Sequence, residues 1–256
     1  MRHAVLLGSA TLALTVCFAP TDDARACSCV GPQVSLLTPR AGTTPPTTAH
    51  VRIFAPSGAG GSFVLREPGG APVKAALTRG AMGSVDLLEL APEAPLAPGT
   101  RYEVAHVVPE RYPSTYVFGT FRTGAAADAT PPRIDALGTI TASQNLHASG
   151  AACQSGAPYL LVEGLRASDP GGDPARLLLA AWLLDASGKV DVKRPPAFVT
   201  GFGDGRATLG NTSICDPRHL ALPKAPSVKL ALAVVDDSGN ASAPRIVQVS
   251  LAGITP

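Results

Sequence analysis

At 256 residues, 45% of them hydrophobic and 16% charged, the chain carries enough apolar side chain to close cores and too little charge for a disordered protein. Lys and Arg number 21 against 19 Asp and Glu, a net charge of +2 without long blocks of one sign, which argues against nucleic acid as a partner. Gly 26 and Pro 25, together about a fifth of the chain, cut it into short segments with little room for long helices. An all-β chain of two ordinary domains is predicted.

Met1-Arg2-His3 gives a short positive start, and Ala4 to Phe18 is an almost unbroken apolar run of the length of a signal h-region, too short to span a bilayer. Ala24-Arg25-Ala26 places small residues at alternate positions, so a signal peptide over 1–26 is expected, with cleavage after Ala26 and a mature chain beginning at Cys27. A lipid-anchored form would need small residues directly before a modified cysteine. Val16 precedes Cys17, and Arg25 interrupts the approach to Cys27, so neither cysteine sits in a good lipobox. No later apolar stretch approaches the ~20 residues of a membrane helix, and the expected location is secreted, periplasmic or on the cell surface of a bacterium.

Removing Cys17 with the leader leaves Cys27, Cys29, Cys153 and Cys215, an even number in an exported chain, which predicts disulfide bonding. Cys27 with Cys29 is poor geometry, since one intervening residue rarely lets the side chains converge. Cys153 with Cys215 is the preferred bridge, and closing that loop would contribute about 4 kcal/mol on the chain-entropy model. The alternative ties the N-terminal Cys-Ser-Cys to the second domain. Cys27-Ser28-Cys29 also resembles the N-terminal Cys-x-Cys of tissue metalloproteinase inhibitors, whose free amine and carbonyl chelate a catalytic zinc. That resemblance covers only these residues, and the family's partner cysteines shortly downstream are absent.

Between Gly31 and Gly124, Val51-Arg52-Ile53-Phe54 and Phe63-Val64-Leu65-Arg66 are β-branched or aromatic runs flanked by turn residues. Val85 to Leu90 alternates with the two-residue period that puts one face into a core. Arg101 to Ala105 and Thr115 to Phe121 follow at the spacing of hairpin neighbours. Leu96-Ala97-Pro98-Gly99-Thr100-Arg101-Tyr102-Glu103-Val104 resembles the approach to strand F in fibronectin type III and bacterial Ig-like domains. Leu37 to Gly42 followed by Val51 to Ile53 is similar to their strands A and B, and Phe118 to Thr123 to their last strand. The resemblance implies an Ig-like β-sandwich over 27–124 in which Tyr102 is a tyrosine corner, ring in the core and hydroxyl reaching back to the backbone upstream.

Asp128-Ala129-Thr130-Pro131-Pro132-Arg133-Ile134 resembles the junction between modules in tandem arrays of this kind, with 125–132 a short link stiffened by Pro131-Pro132. A second sandwich is expected over 133–256, with strands at Tyr159–Glu163, Leu177–Leu184, Ser227–Val235 and Arg245–Leu251. Leu177–Leu184 is also compatible with a helix on propensity. By the same resemblance, Trp182 would pack against the Cys153–Cys215 bridge, and Val234 to Ser242 would be the F–G hairpin.

Signatures of chemistry are missing. After the leader, His50, His106, His147 and His219 include no two at ligand spacing, and the chain has no His-Glu-x-x-His, Cys-x-x-Cys, Gly-x-Ser-x-Gly or phosphate loop. No catalytic residue, metal ligand or cofactor is assigned. Asp169-Pro170-Gly171-Gly172-Asp173, Gly203-Asp204-Gly205 and Asp236-Asp237-Ser238-Gly239-Asn240 hold enough oxygen ligands for Ca²⁺, but match no EF-hand or repeated calcium turn. Hairpin turns demand the same residue types, and that is the reading preferred here. Asn211-Thr212-Ser213 fits a glycosylation sequon and is read as a loop. Of the aromatics Tyr112, Tyr116, Phe118 and Phe121, core packing is expected for Tyr116 and Phe118, and exposure for Tyr112 alone.

The functional expectation is therefore a non-enzymatic adhesion, scaffolding or ligand-binding module of the envelope, contacting a protein or polysaccharide. The alternatives are an accessory carbohydrate- or substrate-binding protein of an extracellular enzyme system, and a protease inhibitor acting through Cys27.

Overall fold

The computed structural model describes residues 33–108, 114–144, 158–184, 188–190, 192, 194–210, 216 and 218–254. All five cysteines, Tyr112, His147 and the sequon lie outside the described residues, as does the predicted leader.

The chain is all-β. Its N-terminal strands are β1 (Ser35–Thr38), β2 (Val51–Pro56), β3 (Ser62–Arg66), β4 (Ala75–Met82), β5 (Val85–Pro92), β6 (Arg101–Val108) and β7 (Ser114–Arg122). They form two antiparallel sheets, ordered β1-β2-β5-β4 and β3-β6-β7. The C-terminal strands are β8 (Arg133–Ala136), β9 (Thr139–Gln144), β10 (Pro158–Glu163), β11 (Arg166–Ser168), β12 (Leu178–Leu183), β13 (Phe198–Gly201), β14 (Arg206–Leu209), β15 (Ser227–Val235) and β16 (Arg245–Ser250). Here the sheets are β14-β10-β9, the small pair β11-β8, and β13-β12-β15-β16. The one helical element among the described residues is a 3₁₀ turn at Pro174–Arg176, capped by Asp173. Leu178–Leu183 is a strand because β13 and β15 pair it on both sides, which overrides the helical preference of Leu and Ala.

The first core follows from alternation. Val51, Ile53 and Ala55 of β2 and Leu88 and Leu90 of β5 face Phe63, Leu65, Tyr102, Val104 and Phe121 of the opposite sheet. Tyr102 is 3% exposed, stacks on Phe121 with centroids 5.8 Å apart, and its hydroxyl accepts the Ala97 backbone N–H at 3.0 Å. That bond ties the connection entering β6 to the strand itself.

Alternation also explains a difference from the sequence reading, in which Val85 to Leu90 puts one face into a core. β5 buries both faces. Val85 and Leu87, together with Phe54 and Met82, belong to the large apolar cluster of the C-terminal strands. There they meet the face of β12 and β15 carrying Leu178, Ala180, Trp182 and Val235, beside a cavity of about 340 Å³. The Arg218 guanidinium adds a cation–π contact, 5.3 Å from the Phe54 ring and 5.9 Å from the Phe198 ring. β12 is likewise buried on both sides, its Leu179 and Ala181 turned towards Leu160, Val162 and Leu209.

Candidate functional site

The two strand groups meet at one end in a polar junction made of three segments. The first is the stretch entering β2, residues 44–50. Leu96 and Gly124 donate their N–H groups to the Thr47 and Pro45 carbonyls, and Thr47 donates to that of Ala126. The second is the connection around Asp128, whose N–H donates to Thr48 Oγ1 at 3.0 Å. The third is the β15–β16 hairpin. His50 N–H donates to the Asp237 carbonyl at 2.7 Å, and the Thr48 and Ser238 hydroxyls lie 2.7 Å apart.

Arg52 occupies the centre of this junction at 3% exposure. Its Nε donates to Glu89 Oε2 at 3.1 Å and its Nη1 to the Asp236 carbonyl at 2.8 Å. Glu89 is also bonded to His50 Nδ1 at 2.5 Å. Burial by itself would raise the Glu89 pKa, but the His50 hydrogen bond and the Arg52 charge outweigh it and bring the carboxyl down to about 2. The His50 ring lies close against Gly239, where φ is +82° and a Cβ would come within 2.4 Å of Nδ1, so only glycine fits that position.

Beside this clamp three carboxylates converge. One oxygen each of Asp128, Asp169 and Asp236 lies within 4.8 Å of the other two. Asp128 Oδ1 accepts the Thr130 N–H, Asp169 Oδ1 that of Gly171, and Asp236 accepts the backbone and side-chain N–H groups of Asn240, both at 2.9 Å. Burial, with the charges of Asp128 and Asp169 behind it, pushes the Asp236 pKa up to about 6, and burial also raises that of Asp169. Asp128 and Asp236 are buried and Asp169 half-buried; Asp237 adds a further buried carboxylate at 4% exposure, and neither of its oxygens has a hydrogen-bond partner. Its nearest cation is Arg176 Nη1, at 3.8 Å. Burial raises the Asp237 pKa, Arg176, Arg52 and Arg40 oppose it, and the Asp169 charge adds to the rise.

Of the acidic loops singled out by sequence, the fold brings Asp169 and Asp236 together and keeps Asp204 apart. Asp204 and Gly205, with φ of 50° and 71°, form the two-residue turn between β13 and β14. Asp128, Arg52, His50 and Glu89 are not legible as site residues: Asp128 reads as linker, Arg52 and Glu89 as the polar face of ordinary strands, and His50 as a histidine with no partner at ligand spacing. Trp182 is 7% exposed and donates its indole N–H to the Arg194 carbonyl at 2.9 Å, walling a cleft of about 630 Å³ together with Gly80, Pro195 and Pro196. Tyr116 departs from the core placement expected of it. It is 60% exposed, because β7 is the edge of its sheet and the Tyr116 position faces outward, while Phe121 takes the core. Phe118 is half-buried, edge-on to Phe63, and Phe63 in turn stacks on His106 at 4.5 Å.

No protein-family model matches the chain, and no curated protein matches it. Solved structures similar to it include the tandem Ig repeats of Dlar, 12% identical over 85% of this chain and 96% of that one, with a TM-score of 0.29. The fibronectin(III)-like modules of CbhA from Clostridium thermocellum are 13% identical over 85% and 93%, with a TM-score of 0.26. DIP-gamma IG1+IG2 is 9% identical over 86% and 97%, with a TM-score of 0.22.

Proposed function

We propose that this chain is an exported, non-enzymatic module of the bacterial envelope that adheres, scaffolds or binds a ligand by holding two β-sandwich units in one fixed relation. The reading divides it into a leader over 1–26, a first sandwich over 27–124, a link over 125–132 and a second sandwich over 133–256. The observation that carries it is the clamp of Arg52, Thr48 and His50 on the last hairpin, backed by Phe54 and Leu87 in the neighbouring apolar cluster. A display or spacer protein gains from such fixation, because loops and sheet edges presented at a set spacing lose less entropy on binding than those on a free hinge.

Co-sedimentation of the purified chain with envelope fractions and with insoluble glycans tests the reading. Retention on envelope fractions alone supports an adhesive or scaffolding role, and retention on glycan alone supports the accessory carbohydrate-binding alternative. A hydrolytic or transfer activity abolished by a single substitution would overturn both.

A further inference from the structure

We infer that Asp128, Asp169 and Asp236 form a Ca²⁺ site that pins the connection between the strand groups to two loops of the second group. The inference concerns the junction itself and holds whatever ligand the modules bind.

Three observations carry it. The first is geometry: oxygens within 4.8 Å of one another fit around a single Ca²⁺, which takes oxygen ligands at ~2.3–2.6 Å and so spans about 5 Å between opposite donors. These donors come from three separate segments, the 125–132 connection, the loop between β11 and β12, and the β15–β16 hairpin. An ion here closes a cross-link that no local turn provides. All three are hard carboxylates with no thiolate or imidazole among them, which selects Ca²⁺ over zinc or copper.

The second observation is Asp237. It is more than nine-tenths buried at the same junction, in the field of Asp169, and both of its carboxylate oxygens lack a hydrogen bond. A buried carboxylate without a donor is costly. Arg176, the cation nearest to it, stands beyond hydrogen-bonding distance and pairs with Asp237 and Asp173, not with the converging trio. Arg176, Arg52 and Arg40 act on Asp237, while among the described residues no basic side chain forms an ion pair with Asp128, Asp169 or Asp236, and a divalent cation supplies the charge that is missing there.

The third is the pair Gly171-Gly172. A Cβ on Gly171 would fall 2.1 Å from Asp128 Oδ1, and one on Gly172 would fall 2.5 Å from Asp169 Oδ2. The loop is bare where the two carboxylates enter it, and any side chain there would push them out.

Isothermal titration of the EDTA-stripped full chain with CaCl₂ tests the site, with MgCl₂ as comparison. One Ca²⁺ is expected to bind with a dissociation constant on the order of 10⁻⁴ M, in the range of extracellular modules, and Mg²⁺ much more weakly. At 5 mM Ca²⁺ the melting temperature should rise by about 5 °C. Asp169→Asn should weaken Ca²⁺ binding at least tenfold, whereas Asp204→Asn, in the separate β13–β14 turn, should leave it unchanged. If Asp169→Asn does not fold, the wild-type chain decides alone: cleavage in the 125–132 connection by a nonspecific protease should slow with Ca²⁺ relative to EDTA. No binding at 10 mM Ca²⁺, a tenfold loss in Asp204→Asn equal to that in Asp169→Asn, or equal cleavage with Ca²⁺ and EDTA would overturn the inference.

Discussion

Arg52 and Asp236, 184 positions apart, are joined by a 2.8 Å hydrogen bond in which a guanidinium on the second strand holds the main chain of the last hairpin. Removing this side chain leaves the Asp236 carbonyl without that donor and Glu89 held by His50 alone. Arg52→Ala is expected to lower stability by about 3 kcal/mol in urea unfolding, and to speed proteolysis in the 125–132 segment. Arg52→Lys should recover little of either, because a single ammonium does not span the two acceptors that the planar fork reaches.

Glu89 gives the junction a pH dependence of defined sign. Its carboxyl sits at about 2 in the fold against an ordinary 4.5, so the folded state favours the charged form. The stabilisation is complete above pH 4.5 and is lost as pH falls towards 2. A contribution of about 2 kcal/mol is expected for this partly exposed group. Unfolding midpoints followed from pH 6 to pH 2.5 should fall less steeply in Glu89→Gln than in the unchanged chain.

Tyr102→Phe keeps the ring and removes only the oxygen that accepts the Ala97 N–H. A loss of about 1–2 kcal/mol is expected from chemical denaturation, with the tertiary circular dichroism of the folded state preserved.

Leu87 and Leu88 are adjacent in the chain and enter different clusters. Each truncation to Ala should cost about 2–4 kcal/mol. Their optical consequences should differ. Leu87 lines the same cavity as Trp182, so Leu87→Ala should shift the emission of this single tryptophan, and Leu88→Ala should leave the folded-state spectrum unmoved.

The strands with strong alternation or β-branched runs are readable from the order of residues, as Phe63–Arg66 and Ser227–Val235 illustrate. β4 was not, because Ala75–Met82 has few β-formers and an exposed face, and it is a strand by virtue of pairing with β5 along its full length. The outward burial of Phe54 and Leu87 was hidden for another reason. A two-residue period reveals which residues share a face, but not whether the second face meets solvent or another sheet. The junction was half visible: Asp169 and Asp236 stand in loops rich in turn residues, whereas the part played by Asp128 depends on which loops the topology delivers to the same end. Aromatic character alone points Tyr116 to the core, whereas its outward position on the edge strand β7 leaves it exposed.

Because β5 and β12 each have an oily side that the other strand group covers, neither half is a self-sufficient cassette. Grafting the N-terminal strands alone onto an unrelated protein would carry Phe54, Met82 and Leu87 naked into water, a patch that invites clumping. In gene fusion, as in any natural shuffling of segments, the two halves travel as a couple.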